Sequence, residues 1–230
     1  MKSKRLLEIA SLVEENSIVA DIGTDHGYIP VYLMEEARAK RVIGSDISKG
    51  SLNKIVNYVR MKKLEDKIDT RLGNGLEVLR PFEVDTVIIA GMGGMLIRDI
   101  LEKNWSITNS INSFILQPMI GVKELREYLL SHSYKIEENR LLKEDGKYYE
   151  IIRAVRGKEL MWDDINLEIP QEFIDEKHPL LAEYIDYKIS YARNILDSIA
   201  GKDSEKIAGR VRELEEDIEN YREVLSKIEG

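Results

Sequence analysis

The sequence predicts an α/β fold in which a doubly wound, seven-stranded sheet is followed by a C-terminal antiparallel coiled-coil helical hairpin. Three observations carry this. The apolar run Ser17-Ile18-Val19-Ala20 leads into Asp21-Ile22-Gly23-Thr24-Asp25-His26-Gly27-Tyr28, and Asp46 closes the next strand-like run; a strand feeding a glycine-bearing loop that opens a helix, with an acid about 20 residues on, is a nucleotide-cofactor loop of such a sheet. Short apolar runs then alternate with segments of helical period as far as His132. From Ile207 the apolar positions step by four and three over about three heptads.

Taken in order, strands are expected at Val19 to Ile22, Arg41 to Asp46, Asp69 to Leu72, Val84 to Ala90 and Ser113 to Gln117, each short, mostly apolar and punctuated by Gly, Pro, Asp or Asn. Between them Tyr28 to Ala39, Ser48 to Lys63, Gly94 to Lys103 and Val122 to His132 carry apolar residues at spacings of three and four, the alternation of parallel βαβ units. Tyr134 to Leu142 and Lys147 to Arg156, joined through Lys143-Glu144-Asp145-Gly146, read as an antiparallel hairpin closing the sheet. That count and terminal hairpin are those of a Rossmann-like class I methyltransferase sheet. Beyond it, Ala182, Ile185, Ile189, Ala192, Leu196 and Ile199 match the stripe of Ile207, Val211, Leu214, Ile218, Tyr221, Leu225 and Ile228. Gly201-Lys202-Asp203-Ser204 supplies a turn with Ser204 as helix cap, so residues 179 to 229 are expected to fold back on themselves. Intermolecular pairing of these stripes into a dimer is the alternative. The chain thus divides into domains at 1–157 and 158–230.

The loop chemistry points away from a dinucleotide. The second glycine of G-x-G-x-x-G, where the backbone approaches a pyrophosphate, is replaced by Asp25. A carboxylate there would repel a phosphate by about 4 kcal/mol for unit charges about 4 Å apart at an effective dielectric of about 20. S-adenosylmethionine has no phosphate and carries a sulfonium and an ammonium, which acids favour. On this reading Asp21 lies near the amino-acid end of the donor and Asp46 accepts from the ribose hydroxyls. The alternative is that Gly23 and Gly27 only permit a tight turn.

Composition narrows the rest. The chain carries a net charge of −8 and 43% hydrophobic residues, enough for a real core. From Lys158 onward there are ten Lys or Arg against nineteen Asp or Glu, a net of −9, which leaves +1 for the remainder. Lys2, Lys4 and Arg5 form one basic cluster, and Lys54, Arg60, Lys62, Lys63, Lys67 and Arg71 another; such runs are solvated faces or phosphate contacts. There is no cysteine and only three histidines, so no disulfide, no cysteine nucleophile for C5 methylation of a pyrimidine, and no metal cluster are expected. No apolar run approaches a membrane span and no signal-peptide core opens the chain, which predicts a soluble, cytoplasmic protein. The fourth strand ends in Ala90-Gly91-Met92-Gly93-Gly94 and lacks the Asn or Asp followed by Pro-Pro and an aromatic that serves exocyclic amines. The expected target is therefore a ring nitrogen with an accessible lone pair, methylated mostly by alignment.

Five segments together closely resemble the bacterial TrmK family: Asp-Ile-Gly-Thr-Asp-His-Gly-Tyr-Ile-Pro at 21 to 30, Gly-Ser-Asp at 44 to 46, Gly-Asn-Gly-Leu at 73 to 76, Ile-Ala-Gly-Met-Gly-Gly at 89 to 94 and Leu-Gln-Pro-Met at 116 to 119. The resemblance covers nearly the whole chain. It implies a tRNA methyltransferase that uses S-adenosylmethionine to methylate N1 of adenine 22, and that joins a Rossmann-like domain to a coiled-coil domain. Carried over residue by residue, it puts Asp21, Gly23 and Gly27 around the methionine part of the donor, Asp46 and Ile47 on the ribose, Asn74 and Gly75 at the adenine, and Gly91 beside the methyl group. His26, Tyr28 and Met92 would face the target base, with Gln117 to Met119 as a further wall. Tyr28 either stacks on a flipped base or packs under its own helix. His26 is expected to matter for placement more than for proton abstraction. The implied partner is tRNA, with no metal and no membrane; a monomer is expected, or a dimer through the coiled coil. An S-adenosylmethionine-dependent enzyme acting on a small molecule or another RNA is the alternative.

Overall fold

A computed structural model of the chain describes residues 3–201 and 204–229. It divides into two compact units, Met1–Met161 and Trp162–Gly230. In the first, the chain runs α1 (Lys4–Ser11), β1 (Ser17–Ile22), α2 (Tyr28–Glu35), β2 (Ala39–Asp46), α3 (Lys49–Met61), β3 (Ile68–Leu72), a 3-10 turn (Gly75–Val78), β4 (Thr86–Met92), α4 (Gly94–Lys103), α5 (Trp105–Thr108), β5 (Ser113–Pro118), α6 (Val122–Ser131), β6 (Tyr134–Glu144) and β7 (Lys147–Arg156). The seven strands form one sheet in the order β3-β2-β1-β4-β5-β7-β6. Strands β1 to β5 are parallel, and β7 inserts antiparallel between β5 and β6. All six residues of β5 and the first four of β4 are buried, as expected of strands covered on both faces.

The order reverses between β1 and β4, and at such a switch point the loops after neighbouring strands diverge to leave a crevice at the carboxyl ends. The core below it is built from Val19, Val42, Ile88 and Ile115 of the sheet against Ile29, Leu33, Ile55 and Val59 of the helices. A separate buried ion pair ties α6 to the terminal hairpin: Arg126 donates to Glu150 Oε2 at 2.6 Å and to Asn139 Oδ1 at 2.9 Å.

Two differences from the sequence reading have local causes. The helix expected over Tyr28 to Ala39 stops at Glu35, because Ala37 takes a left-handed φ of 52° and the Arg38 N–H bonds back to the Leu33 carbonyl at 2.9 Å. This is the C-terminal closure that glycine usually marks, here on alanine, so no glycine signalled it. Ala39 instead starts β2, paired with Ser17. Helix α1 has eight residues, too few for a period to register in the sequence, although Ser3 caps it by accepting from the Leu6 N–H.

The second unit holds α7 (Asp164–Glu168), α8 (Gln171–Asp175), α9 (Leu181–Ile199) and α10 (Glu205–Glu229). Lys188 of α9 lies over the rings of Tyr184 and of Tyr221 in α10, and both Lys188 and Tyr221 bond to Glu168 of α7. The start of α9 therefore sits beside the end of α10, an antiparallel pairing within one chain. Of the heptad stripe, Ile185, Ile189, Ala192, Leu214, Ile218 and Tyr221 are buried, while Ala182, Leu225 and Ile228 are half-buried and Tyr184 and Val224 beside them are buried instead. Leu196, Ile199, Ile207 and Val211, at the turn end, are only half-buried. Gly201 is left-handed at 76°, and Ser204 Oγ accepts from the Ile207 N–H at 3.2 Å, the expected cap. Lys202 and Asp203 of that turn, like Lys2, lie outside the described residues. Among the described residues, no helix is long and apolar enough to cross a membrane.

Candidate active site

The loops after β1, β2 and β3 are tied to one another by backbone hydrogen bonds. Gly23 and Thr24 donate to the Ser45 carbonyl at 2.9 and 3.0 Å, and Gly73 donates to the Asp46 carbonyl at 3.1 Å. The loops after β4 and β5 are joined likewise, by Met119 N–H to Met92 O at 2.8 Å and Gly94 N–H to Ile120 O at 2.7 Å. Gly23 links the two sets. Its φ is 76°, and a Cβ placed on it would stand 2.2 Å from Met92 Cε, so the β1 loop touches the end of β4 only because no side chain is there.

Asp21 is 3% exposed at the end of β1. Burial pushes its carboxyl up to about 7; a hydrogen bond from Thr24 opposes this and the charge of Asp46 adds to it. Asp46 is held by two backbone donors, Asp25 N–H to Oδ2 at 3.2 Å and Ser48 N–H to Oδ1 at 2.8 Å, and each oxygen keeps a lone pair for a hydroxyl. Ile47 beside it is 67% exposed, an apolar surface at the cleft edge. Across β3, the Asn74 N–H donates to Glu77 Oε1 at 2.7 Å, and Gly75, at φ 58°, turns the chain against Ile100. Gly91 is left-handed at 76° and Gly27, at 73°, opens α2.

Asp25 does something the sequence did not suggest. It supplies the left-handed turn, φ 50°, that a glycine would. Its carboxylate is turned away onto α3, where Ser51 Oγ donates at 3.0 Å and Lys54 Nζ at 3.1 Å, while His26 Nδ1 lies 2.7 Å away. The Lys54 hydrogen bond, foremost, holds that carboxyl below the usual range. Asp25 therefore orients His26 and pins the loop, rather than offering free negative charge to a sulfonium. The His26 ring stacks on Tyr28 at 5.3 Å between centroids and 4° between planes, and Tyr58 meets Tyr28 edge-on. Tyr28 starts α2 and is 46% exposed, so it does not pack under the helix.

On the β5 side the expected wall is redrawn. Gln117 is 1% exposed, with Nε2 donating to the Pro118 carbonyl and Oε1 accepting from Arg5, so its amide is enclosed. The exposed surface belongs to Met119 at 46% and Ile120 at 73%. Arg5 is the residue the sequence reading placed elsewhere, in a basic cluster on the surface; no spacing in the sequence links an N-terminal helix to the ends of β4 and β5. Of the second basic cluster, Lys54, Lys62 and Arg71 are paired with Asp25, Glu35 and Glu83.

A methyltransferase-domain family matches residues 2–152. The Bacillus subtilis tRNA (adenine(22)-N(1))-methyltransferase is 31% identical over 229 residues, covering 97% of this chain and 96% of its own. This chain belongs to the TrmK family. Among solved structures, Mycoplasma capricolum TrmK in complex with S-adenosyl-homocysteine superposes with a TM-score of 0.85 at 30% identity, over 99% of both chains. The Streptococcus pneumoniae protein Sp1610, solved in complex with S-adenosyl-L-methionine, gives 0.87 at 30% identity over 98% of this chain and 100% of its own. All five segments that resemble TrmK fall at the carboxyl-terminal edge of the sheet, in the last residues of β1, β2, β4 and β5 and in the loops that follow β1, β3, β4 and β5.

Proposed function

We propose that this chain transfers the methyl group of S-adenosylmethionine to N1 of adenine 22 of tRNA. The observation that carries the reading is the gathering of the five TrmK segments at one edge of the sheet, in a chain that matches a member of that family over 97% of its length. The residues suit the donor. A buried acid, a fixed carboxylate with free lone pairs and a loop that only glycine permits are features made for an adenosine with a cationic tail. When bound, S-adenosylmethionine supplies an electrophilic methyl group on its sulfonium.

In this reading Asp46 takes the ribose hydroxyls and Ile47 covers the sugar. Asn74 and Gly75 border the donor's adenine, Asp21 receives its amino group, Gly23 and Gly27 let the backbone approach its methionine part, and Gly91 borders the methyl. His26 and Tyr28 form a two-ring platform for the target base, and Met92 closes the rim beside Gly23. The N1 lone pair of neutral adenine is free, so no side chain has to remove a proton before attack. Alignment suffices, with effective molarities of about 10⁵ M or more available from it. Asp25 fixes His26 Nδ1, which leaves Nε2 for the base. Residues 1–157 carry the chemistry of this cytoplasmic enzyme, and the helices of 158–230 help hold the tRNA.

The test is methylation of two transcripts of one tRNA, with adenine or guanine at position 22. The adenine form should yield 1-methyladenosine and the guanine form none; equal labelling of both would refute the assignment.

A further inference from the structure

Arg5 sits in the first turn of α1, and its guanidinium reaches the carboxyl ends of β4 and β5. Nη1 donates to Gln117 Oε1 at 2.6 Å, lies 4.0 Å from Met119 Sδ, and is 3.7 Å from where a Cβ on Gly91 would stand. The guanidinium carbon is 5.0 Å from the centre of the Tyr149 ring. The helix that carries it is anchored: Glu144 of β6 takes Ser3 Oγ and the backbone N–H groups of Lys4 and Arg5, and Glu8 pairs with Arg140. Gln117 is neutral, and the carboxylate whose charge acts on Arg5 is that of Glu144, which is already engaged by Ser3 Oγ and by backbone N–H groups.

A guanidinium has five N–H donors and a full charge, and an oxyanion that accepts from two of them at once is held more strongly than a single amide oxygen. Here one donor is used on an amide oxygen, beside Gly91 and the exposed Met119. We propose that Arg5 is an oxyanion-binding residue of the cleft, completed either by the carboxylate of the methyl donor or by a phosphate of the bound tRNA. Both are planar or forked oxygen acceptors that suit bidentate arginine, and both belong to molecules the cleft takes under the methyl-transfer reading, on which this inference rests.

The full-length protein is compared with Arg5→Gln, which keeps an N–H for Gln117 but loses the charge, and with Arg5→Lys, which keeps the charge. Calorimetry gives the affinity for S-adenosylhomocysteine and for 5′-methylthioadenosine, which lacks the amino-acid end. Titration of tRNA at several salt concentrations gives the slope of log affinity on log salt. If the donor carboxylate completes Arg5, Arg5→Gln weakens S-adenosylhomocysteine by roughly ten- to a hundredfold and leaves 5′-methylthioadenosine unchanged. If a phosphate does, donor affinities stay the same and the tRNA salt slope becomes shallower by roughly 0.7 to 0.9, which Arg5→Lys restores. An unchanged salt slope together with unchanged S-adenosylhomocysteine binding overturns the proposal, whatever the loss of stability. Equal weakening of both nucleosides also overturns it, since that marks a deformed cleft. Wild-type protein that binds both ligands but makes no 1-methyladenosine would refute the methyl-transfer reading and leave these binding results standing.

Discussion

Asp21→Asn should make the protein more stable and its donor binding indifferent to pH. The carboxyl is 3% exposed and is pushed by burial from 3.8 up to about 7. A shift of about three units, at about 1.4 kcal/mol per unit, amounts to roughly 4 kcal/mol. Because the folded value lies above the unfolded one, the folded chain holds this proton more tightly. The group costs nothing below about pH 4, the cost grows as pH rises toward 7, and it is complete above 7. Asn carries no such cost, so urea unfolding should show Asp21→Asn above wild type by up to about 4 kcal/mol at pH 8, with the gap narrowing to roughly 1.6 kcal/mol at pH 5 and closing below pH 4. Donor binding runs the other way. The ionised carboxylate is what attracts an ammonium, and with a value near 7 it is about one-tenth ionised at pH 6 and about nine-tenths at pH 8. Calorimetry with S-adenosylhomocysteine should therefore show about a tenfold gain in wild-type affinity across that range, with proton release at the lower pH, and a weaker, flat profile for Asp21→Asn. A flat wild-type profile, or a variant less stable than wild type at pH 8, would refute the reasoning.

Three further changes probe other parts of the account. Tyr28→Ala removes half of the ring platform and should lower kcat/KM for tRNA by about ten- to a hundredfold, since a base–aromatic stack is worth about 1–3 kcal/mol, while S-adenosylhomocysteine affinity holds; an unchanged kcat/KM would exclude Tyr28 from the base site. Gly94→Ala puts a Cβ 2.0 Å from the Gly121 carbonyl oxygen, a backbone atom with little room to move, and should cost about 1–3 kcal/mol or more, read as a fall in thermal midpoint. Arg126→Met takes the guanidinium away from the buried Glu150 carboxylate and should destabilise by about 3–5 kcal/mol, and adding Glu150→Leu should recover most of it; a double variant no better than the single one would show that the pair is needed for itself.

What the sequence made legible were the features with a local signature. The strand–loop–helix at Asp21 to Tyr28, the acid at Asp46 and the alternation of short apolar runs with helical period lead directly to the parallel order and to the edge where the loops meet. The seven-stranded sheet and its terminal hairpin follow from the same pattern. The insertion of β7 between β5 and β6 is a matter of long-range pairing that periodicity does not encode. Arg5 was hidden for the same reason: its role depends on α1 lying against Glu144 and Tyr149, some 140 positions along the chain. Asp25 was misread because a formal charge in a loop says nothing of its partners, and Lys54 and Ser51 lie a helix away. Gln117 shows the converse, a polar residue at the right strand end whose amide is enclosed by its neighbours. The heptads of the second unit predicted the pairing of α9 with α10 but not how little of the stripe near the turn is buried.

The most direct test of the central claim is transfer of labelled methyl from S-adenosylmethionine to unmodified tRNA by wild type and by Asp46→Ala, with nucleoside digestion and mass analysis. Wild type should yield 1-methyladenosine mapped to position 22, and folded Asp46→Ala should yield none. Label on a different nucleoside, or undiminished transfer by Asp46→Ala, would contradict it.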